Sequence, residues 1–405
     1  MNQAEFCCRM GWRRPDLAPL RPIWRACAAR CDEVPPFYAE SFIRRWAPVM
    51  HPSDELLAQM IDAGRFGAAT PEGRLFGHLL HQAVYGPLPV LPIGGLPLPV
   101  KAFGDRAGLL QLLAALAAFP MIVDSFRAAG IPRRYAEACG GWLAGTVDIF
   151  RAAHGGVPGH TISQLFWMRH YIELEVFRIG RLEFQPMEYP ALLPALFRRR
   201  GGSEIVALCR SDRWYTPEGG PAAPGMPGVV RTQLLNAGGV IVGTPVDLAS
   251  GKVLVGRTER LSCAEWENIN EVGDPVMTLH IPGGGGLTPE AVRASLREAV
   301  GFFRKYRGLE PKIWWCVSWI LNRDWEELIP DTNIVRFGRI GHRTPEPFPN
   351  DREGLFFIFG RSDGFPAGYA ARTRMEKAFH EAHKRGRKLR CGTMFLLTEE
   401  IAALR

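Results

Sequence analysis

Four consecutive glycines, Gly283 to Gly286, separate an apolar run, Val276-Met-Thr-Leu-His-Ile-Pro282, from Leu287-Thr-Pro-Glu290, which reads as the start of a helix reaching about Tyr306. A loop without side chains lets a ligand come close to the backbone. The first N–H groups of a helix have no intrahelical partner and carry the positive end of its dipole. Strand, glycine loop and helix start therefore make an anion site, the alternative being a plain surface loop. His280 closes the strand beside that loop, and an imidazole titrates near neutral pH, so proton transfer is one role and fixing the Pro282 turn the other. A second apolar run, Ile313 to Leu321, carries Cys316 and Ser318. Strand alternation puts these two on one side, opposite Trp315, Val317 and Trp319. Cys316 also reads as a small buried apolar residue.

Metal chemistry has less support. His380-Glu-Ala-His383 resembles part of a metalloprotease motif, but its histidines are three apart where four are needed, so it reads as a solvated helix face. Cys7, Cys8, Cys27 and Cys31 lack the tight knuckle spacing of structural zinc sites. No metal is expected. Nine cysteines, an odd number, with no export signal at the N-terminus, read as reduced thiols and give a cytoplasmic expectation.

With 405 residues, 47% hydrophobic and 22% charged, the chain is globular and long enough for two or three domains. The net charge of +8 favours acidic partners, among them phosphate-bearing small molecules. The densest basic runs, Arg198–Arg200 and His383–Arg390, are short and lack interleaved aromatics, so nucleic-acid binding is not expected. Leu109 to Val123 is too short to span a bilayer and contains Gln111 and Pro120, so it reads as a buried helix and no membrane span is expected.

Residues 1–160 read as an all-helical N-terminal domain. Amphipathic segments fall at Leu17–Cys31, Tyr38–Trp46, Ser53–Ala63 and Gly73–Tyr85, then at Gly108–Phe126 and Arg134–Ala153, with a further helix from Thr161. Ser53 and Thr70 are expected caps. The proline-rich stretch Gly86–Pro99 is an extended connector packed on its own protein. Residues 161–405 change character. Strands are expected at Gly180–Gln185, Glu204–Cys209, Val229–Leu235, Val240–Val242, Asn333–Phe337, Gly354–Phe359 and Leu389–Leu397, with a hairpin turning at Ala249–Lys252 and a helix over Arg372–Arg385. The fold class is α+β.

Several residues recur together in this order: Gly180-Arg-Leu-Glu-Phe-Gln185; Gly273-Asp274 with Leu279-His-Ile-Pro282; Ser295, Ala299 and Phe302-Phe303; Cys316-x-Ser318-Trp319; and Asn333-Ile-Val-Arg-Phe337. On these residues the chain resembles a bacterial two-part family in which a helical N-acyltransferase-type domain precedes a GNAT-like acyltransferase domain. The resemblance implies a mixed α/β C-terminal domain and an acyl-CoA or acyl-carrier thioester donor. Ile281, Gly283, Gly284, Gly285, Gly286, Leu287, Thr288 and Cys316 would bind that donor between two splayed parallel strands. His280 would be the general base, Ser318 a proton donor to the leaving thiolate, and Asn333 a further catalytic candidate. Cys316 is in principle an acylated nucleophile. Arg181 and Trp319 would meet substrate, Arg181 through an acidic group or, equally, an internal carboxylate. The acceptor would be a small-molecule or peptide amine, and an acyl carrier protein is a further partner. Two features depart from the family pattern: the glycine run replaces its usual phosphate signature, and Trp325 stands near the place of its common tyrosine acid. The alternative is a non-catalytic acyl-CoA-binding or partner-binding protein with the same fold.

Overall fold

In the computed structural model, which describes residues 1–87, 93–347, 351–365, 371 and 373–404, helices begin where the sequence supplies caps. Ser53 Oγ accepts the Leu56 N–H at 3.1 Å and starts α1, Asp54–Ala69, with Asp54 and Glu55 at its positive end. The next helix, α2, Pro71–Tyr85, opens on proline, but Thr70 does not cap it; its hydroxyl donates back to the Phe66 carbonyl. These helices belong to the first of two compact units, Met1–Arg178 with Pro282–Gly284.

The expected helix over Gly108–Phe126 is two: α3, Ala107–Leu116, and α4, Phe119–Ala128. Pro120 has no N–H to continue the ladder, which explains the break. Every residue of α3 is buried. The stretch Val100–Ala128 passes a length-and-composition test for a membrane span, yet its most apolar window is 72% buried inside the unit, as a core helix would be. Two further helices follow, Arg133–Ala138 and α5, Gly140–Ala153. The helix expected from Thr161 is a short 3-10 turn at Ile162–Gln164, then Trp167–Ile172. The proline-rich connector is described on both sides of residues 88–92, which lie outside the described set. There Ile93 and Leu96 are buried and Trp12 Nε1 donates to the Pro97 carbonyl at 2.9 Å, so the connector packs on its own unit.

The second unit, Ile179–Ile281 with Gly285–Arg405, is built on a mixed sheet. Five of its six strands are β1, Leu182–Glu188; β7, Pro275–His280; β8, Ile313–Ser318; β9, His342–Thr344; and β10, Gly392–Leu397. They run in the order β1-β7-β8-β10-β9. The central β7–β8 pair is parallel; β1, β10 and β9 join antiparallel. Between β1 and β7 the chain forms a second sheet from β2, Ala195–Arg199; β3, Ile205–Leu208; β4, Pro245–Asp247; β5, Lys252–Val253; and β6, Trp266–Asn268, in the order β5-β4-β3-β2-β6. The expected hairpin is the β4–β5 pair. The Asp247 carboxylate accepts from Ala249 N–H and Ser250 Oγ–H, and Gly251 takes φ +70°, open to glycine. Strands at Leu234–Ala237, Val240–Gly243 and Glu259–Ser262 make a three-stranded sheet.

The mixed sheet buries both faces. On one, Phe184 of β1 and Trp314 of β8 meet Phe303 of α6, Pro289–Arg307, edge to face at 5.7 to 6.3 Å. On the other, Val276, Ile313, Trp315, Phe395 and Leu397 pack against Leu196 and Val246 of the second sheet.

Two expected strands are helices. Asn333–Phe337 is α7, capped by Thr332, and Gly354–Phe359 lies in α8, Arg352–Phe359, where buried Leu355, Ile358 and Phe359 follow helical spacing. Short apolar runs suit either element, and here packing against Trp325 and Phe379 decides. The strand expected to reach Leu321 ends at Ser318, whose Oγ accepts the Ile320 N–H and turns the chain. The helix expected over Arg372–Arg385 is α9, Arg374–Lys384; Arg372 lies outside the described residues.

Trp314 is 1% exposed, so Trp314→Ala is expected to cost about 3–5 kcal/mol in a denaturant titration. Leu235→Ala, at a residue 55% exposed, should stay within about 0.5 kcal/mol.

Candidate active site

Parallel pairing of β7 with β8 runs from Met277↔Trp314 to Leu279↔Cys316 and stops, although β8 continues alongside β10 to Ser318↔Gly392. The backbone of the two central strands therefore loses mutual partners just where β7 reaches His280. An extended amide chain inserted there would find the missing donors and acceptors.

His280 is half-buried, with Nε2 3.0 Å from Gln185 Oε1. An amide carbonyl only accepts, so in this pairing Nε2 is the donor. Glu183, 1% exposed, is the direct cross-strand partner of His280, and paired residues share a face. Gln185 and Glu183 were not legible as site residues. Alternation put them on one side of their strand, but only the β1–β7 register brings them to His280.

Register also separates two residues that the sequence grouped. Leu279 and Cys316 pair and share one face; His280 lies one residue on and Ser318 two, which places them on opposite faces. Ser318 Oγ is engaged in the turn with Ile320. Cys316 is 1% exposed, and burial, with Glu353 adding to it, pushes its thiol well above the usual range. It is a poor nucleophile. Trp319 packs its ring on Trp325 at 6.1 Å and accepts the Trp325 Nε1–H at its carbonyl, a structural setting. Asn333 sits in the first turn of α7, not on a strand.

Arg181 follows Gly180, which has φ +60° and no room for a Cβ against Ser295 Oγ, 2.6 Å away. The Arg181 N–H donates to that hydroxyl, which fixes the turn on α6. Its side chain then passes the glycine loop: a Cβ on Gly285 would lie 3.9 Å from both Cδ and Nε of Arg181. Gly284 and Gly285 have φ of +76° and +67°, so side chains there are disfavoured. In the first unit, Gly283 meets Gly145 backbone to backbone, a Cβ on Gly145 falling 3.0 Å from its Cα. Leu287 is buried and anchors the loop, and half-buried Ile281 continues from β7. Thr288 Oγ1 accepts the Ala291 N–H at 3.3 Å. That cap, Pro289 and the Glu290 carboxylate occupy much of the α6 start. The loop backbone and Arg181 are thus the better anion groups.

Glu353, half-buried on α8, was also missed. It accepts the Cys391 Sγ–H at 2.8 Å and the N–H of Trp319, at the exit of β8. Burial raises its pKa above the ordinary glutamate value despite both bonds. Among the described residues no three His, Cys, Asp or Glu side chains group as a metal site.

The folded state holds the Glu353 proton more tightly than the unfolded chain does. The resulting stability is therefore present at low pH and lost as pH rises through the raised pKa. Glu353→Gln should flatten the fall of Tm above the normal glutamate range, and an unchanged slope would refute this setting.

A sequence profile of the GNAT-like C-terminal domain matches residues 176–396. Among solved structures, an acyltransferase in complex with decanoyl-CoA and teicoplanin is 19% identical, with a TM-score of 0.60 over 98% of this chain and 100% of that one. An acyltransferase in complex with CoA and 10C-teicoplanin is 20% identical, with a TM-score of 0.59 over 98% and 100%. At such identities the likeness is one of fold. No curated protein matches the sequence. The profile covers more than half of the chain, and with the β7–β8 arrangement in place the chain belongs to the GNAT-like C-terminal domain family.

Proposed function

We propose that this protein is an acyltransferase that moves an acyl group from acyl-CoA to an amine, with His280 as general base. One observation carries the reading: the β7–β8 ladder ends one residue before a histidine, and Gly283–Gly286, shortly after it, form a side-chain-free loop flanked by Arg181. The solved relatives agree in kind, since they are acyltransferases in complex with CoA or decanoyl-CoA. The pantetheine arm would pair with the open strand edge, and the phosphates would lie at Gly283–Gly286 and Arg181. A carrier-protein donor brings the same arm with one phosphate and no nucleotide; the CoA and decanoyl-CoA complexes of the solved relatives favour CoA.

His280 takes a proton as the amine nitrogen attacks the thioester carbonyl. The C–N bond forms, the oxyanion collapses, the C–S bond breaks, and the thiolate gains a proton. With Ser318 held in its turn, Glu353 is the better placed acid: burial keeps its carboxyl protonated to higher pH, and it touches the first residue beyond β8. Gln185 holds the imidazole ring in place. The engagement of Ser318 and the burial of Cys316 also favour a second reading, acyl-CoA binding without turnover. Nine free thiols agree with a cytoplasmic, reducing location.

Decanoyl-CoA at a hundred times its Kd is expected to stabilise the protein by about 2.7 kcal/mol, read as a rise in Tm. Arg181→Ala should shrink that rise. His280→Ala should keep it while lowering kcat for thiol release roughly 10²- to 10⁴-fold with a reactive amine. Full activity in His280→Ala would sink the assigned base, and protection without turnover over a broad amine panel would favour the second reading.

A further inference from the structure

The chain leading into β10 is fixed at three consecutive residues beside the exit of β8. Asn322 Nδ2 donates to the Arg390 carbonyl at 2.9 Å, the Cys391 thiol donates to Glu353 Oε2 at 2.8 Å, and Gly392 leaves no room for a Cβ against the Leu321 carbonyl oxygen. Asn322 is itself tied down, 4% exposed, with its Oδ1 accepting the Asp324 N–H at 2.8 Å. Cys391, 3% exposed, thus offers its Sγ–H from a set place.

Glu353 is held from both ends as well. On its own helix, a Cβ on Gly354 would lie 2.8 Å from the Phe379 ring and 3.4 Å from Trp319 Cβ, so α8 packs closely there. Its carboxyl accepts the Trp319 N–H and the Cys391 Sγ–H. Ser318 pairs with Gly392, so Trp319 and Cys391 stand just past the last rung of the β8–β10 ladder. The carboxyl closes that ladder with one bond from each side. Trp319 contributes backbone, which leaves Cys391 as the side chain that holds the carboxyl.

The choice of donor has chemical consequences. A thiol donates weakly. It orients a carboxyl without strongly favouring its ionised form, whereas a hydroxyl in the same place would favour the carboxylate more. A weak donor therefore suits an acid that must start protonated. The other titratable groups nearby do not compete for the Glu353 proton. Burial pushes the Cys391 and Cys316 thiols far above their usual range, Glu346 near Cys391 is bound by Arg390 at 3.4 Å, and Asp351, just before α8, faces His383 of α9 at 3.8 Å.

Resting on the acyltransferase reading, we propose that Cys391 is a positioning residue for proton delivery, its thiol keeping the Glu353 carboxyl at the exit of β8 where it protonates the leaving thiolate. Cys391 forms no bond to substrate and keeps its own proton. The proton delivered is that of Glu353, and the carboxylate left behind regains one from water before the next turnover.

Cys391→Ala and Cys391→Ser test this, with Glu353→Gln marking the loss of the acid. Two readouts are taken: Tm against pH without donor, and kcat against pH with decanoyl-CoA and a reactive amine. Removing the thiol favours the protonated carboxyl, and the stability tied to that proton is lost only as pH rises through the folded-state pKa. In Cys391→Ala the fall of Tm and the basic limb of kcat should therefore both extend to higher pH, with plateau kcat about ten-fold lower and KM for decanoyl-CoA within about two-fold. Cys391→Ser donates more strongly, so both courses should move to lower pH while plateau kcat is kept. A merely structural loss would weaken both variants and move neither course. Courses that stay in place, or that move in the same direction in the two variants, overturn the proposal. A kcat limb that stays while the Tm course moves also overturns it, because Glu353 is then not the proton donor. If the Tm courses part as expected while the unaltered protein turns over no amine, the hold of Cys391 on Glu353 stands and the acyl-transfer reading fails.

Discussion

The structure depends on one interruption of hydrogen bonding. Two parallel strands pair for three residues and then part, although one of them remains paired on its other side. A central position keeps both strands buried, so the open backbone lies inside the unit rather than at an edge. Everything assigned to the site takes its place from that gap. His280 stands at the end of one strand, the glycine loop follows it, and α6 returns the chain to the second strand, with Arg181 pinned beside the loop through Ser295.

The strands outside this pair give the two sheet faces different work. One face is sealed by α6 through Phe184, Phe303 and Trp314 and holds Cys316 and Ser318 in purely structural settings. The opposite face starts as apolar core against the inserted second sheet and becomes polar toward the strand ends, with Glu183, Gln185, His280 and several unpaired hydroxyls. On this second face His280 is held by the Gln185 amide, and the proposed reaction uses it as the base. In the proposed reaction, proton delivery to the leaving thiolate is assigned to the Glu353 carboxyl at the exit of β8, since the hydroxyl of Ser318 is held in its turn and the thiol of Cys316 is buried.

Local signals carried much of this. The glycine run, the Thr288–Pro289 helix start, the β4–β5 turn and the two central strands follow from side-chain period, proline and glycine chemistry within a few residues. What sequence could not supply was non-local. The relation of His280 to Gln185 and Glu183 depends on the β1–β7 register across some ninety residues. The opposition of His280 and Ser318 depends on where two strands, themselves separated by a helix, come into phase. Asn333–Phe337 and Gly354–Phe359 are too short for their periodicity to decide between strand and helix, and the Trp325 and Phe379 cluster settles them as helices. Glu353 was missed because its meaning comes from burial beside Cys391 and Trp319, which no nearby residue announces.

The claim on which the rest stands is that the donor fills the gap between β7 and β8. Amide hydrogen exchange with and without decanoyl-CoA tests it directly. Added protection should concentrate in peptides covering residues 279–288 and 316–318, where the open ladder and the loop lie. Protection confined to other segments, with these unchanged, would contradict the account.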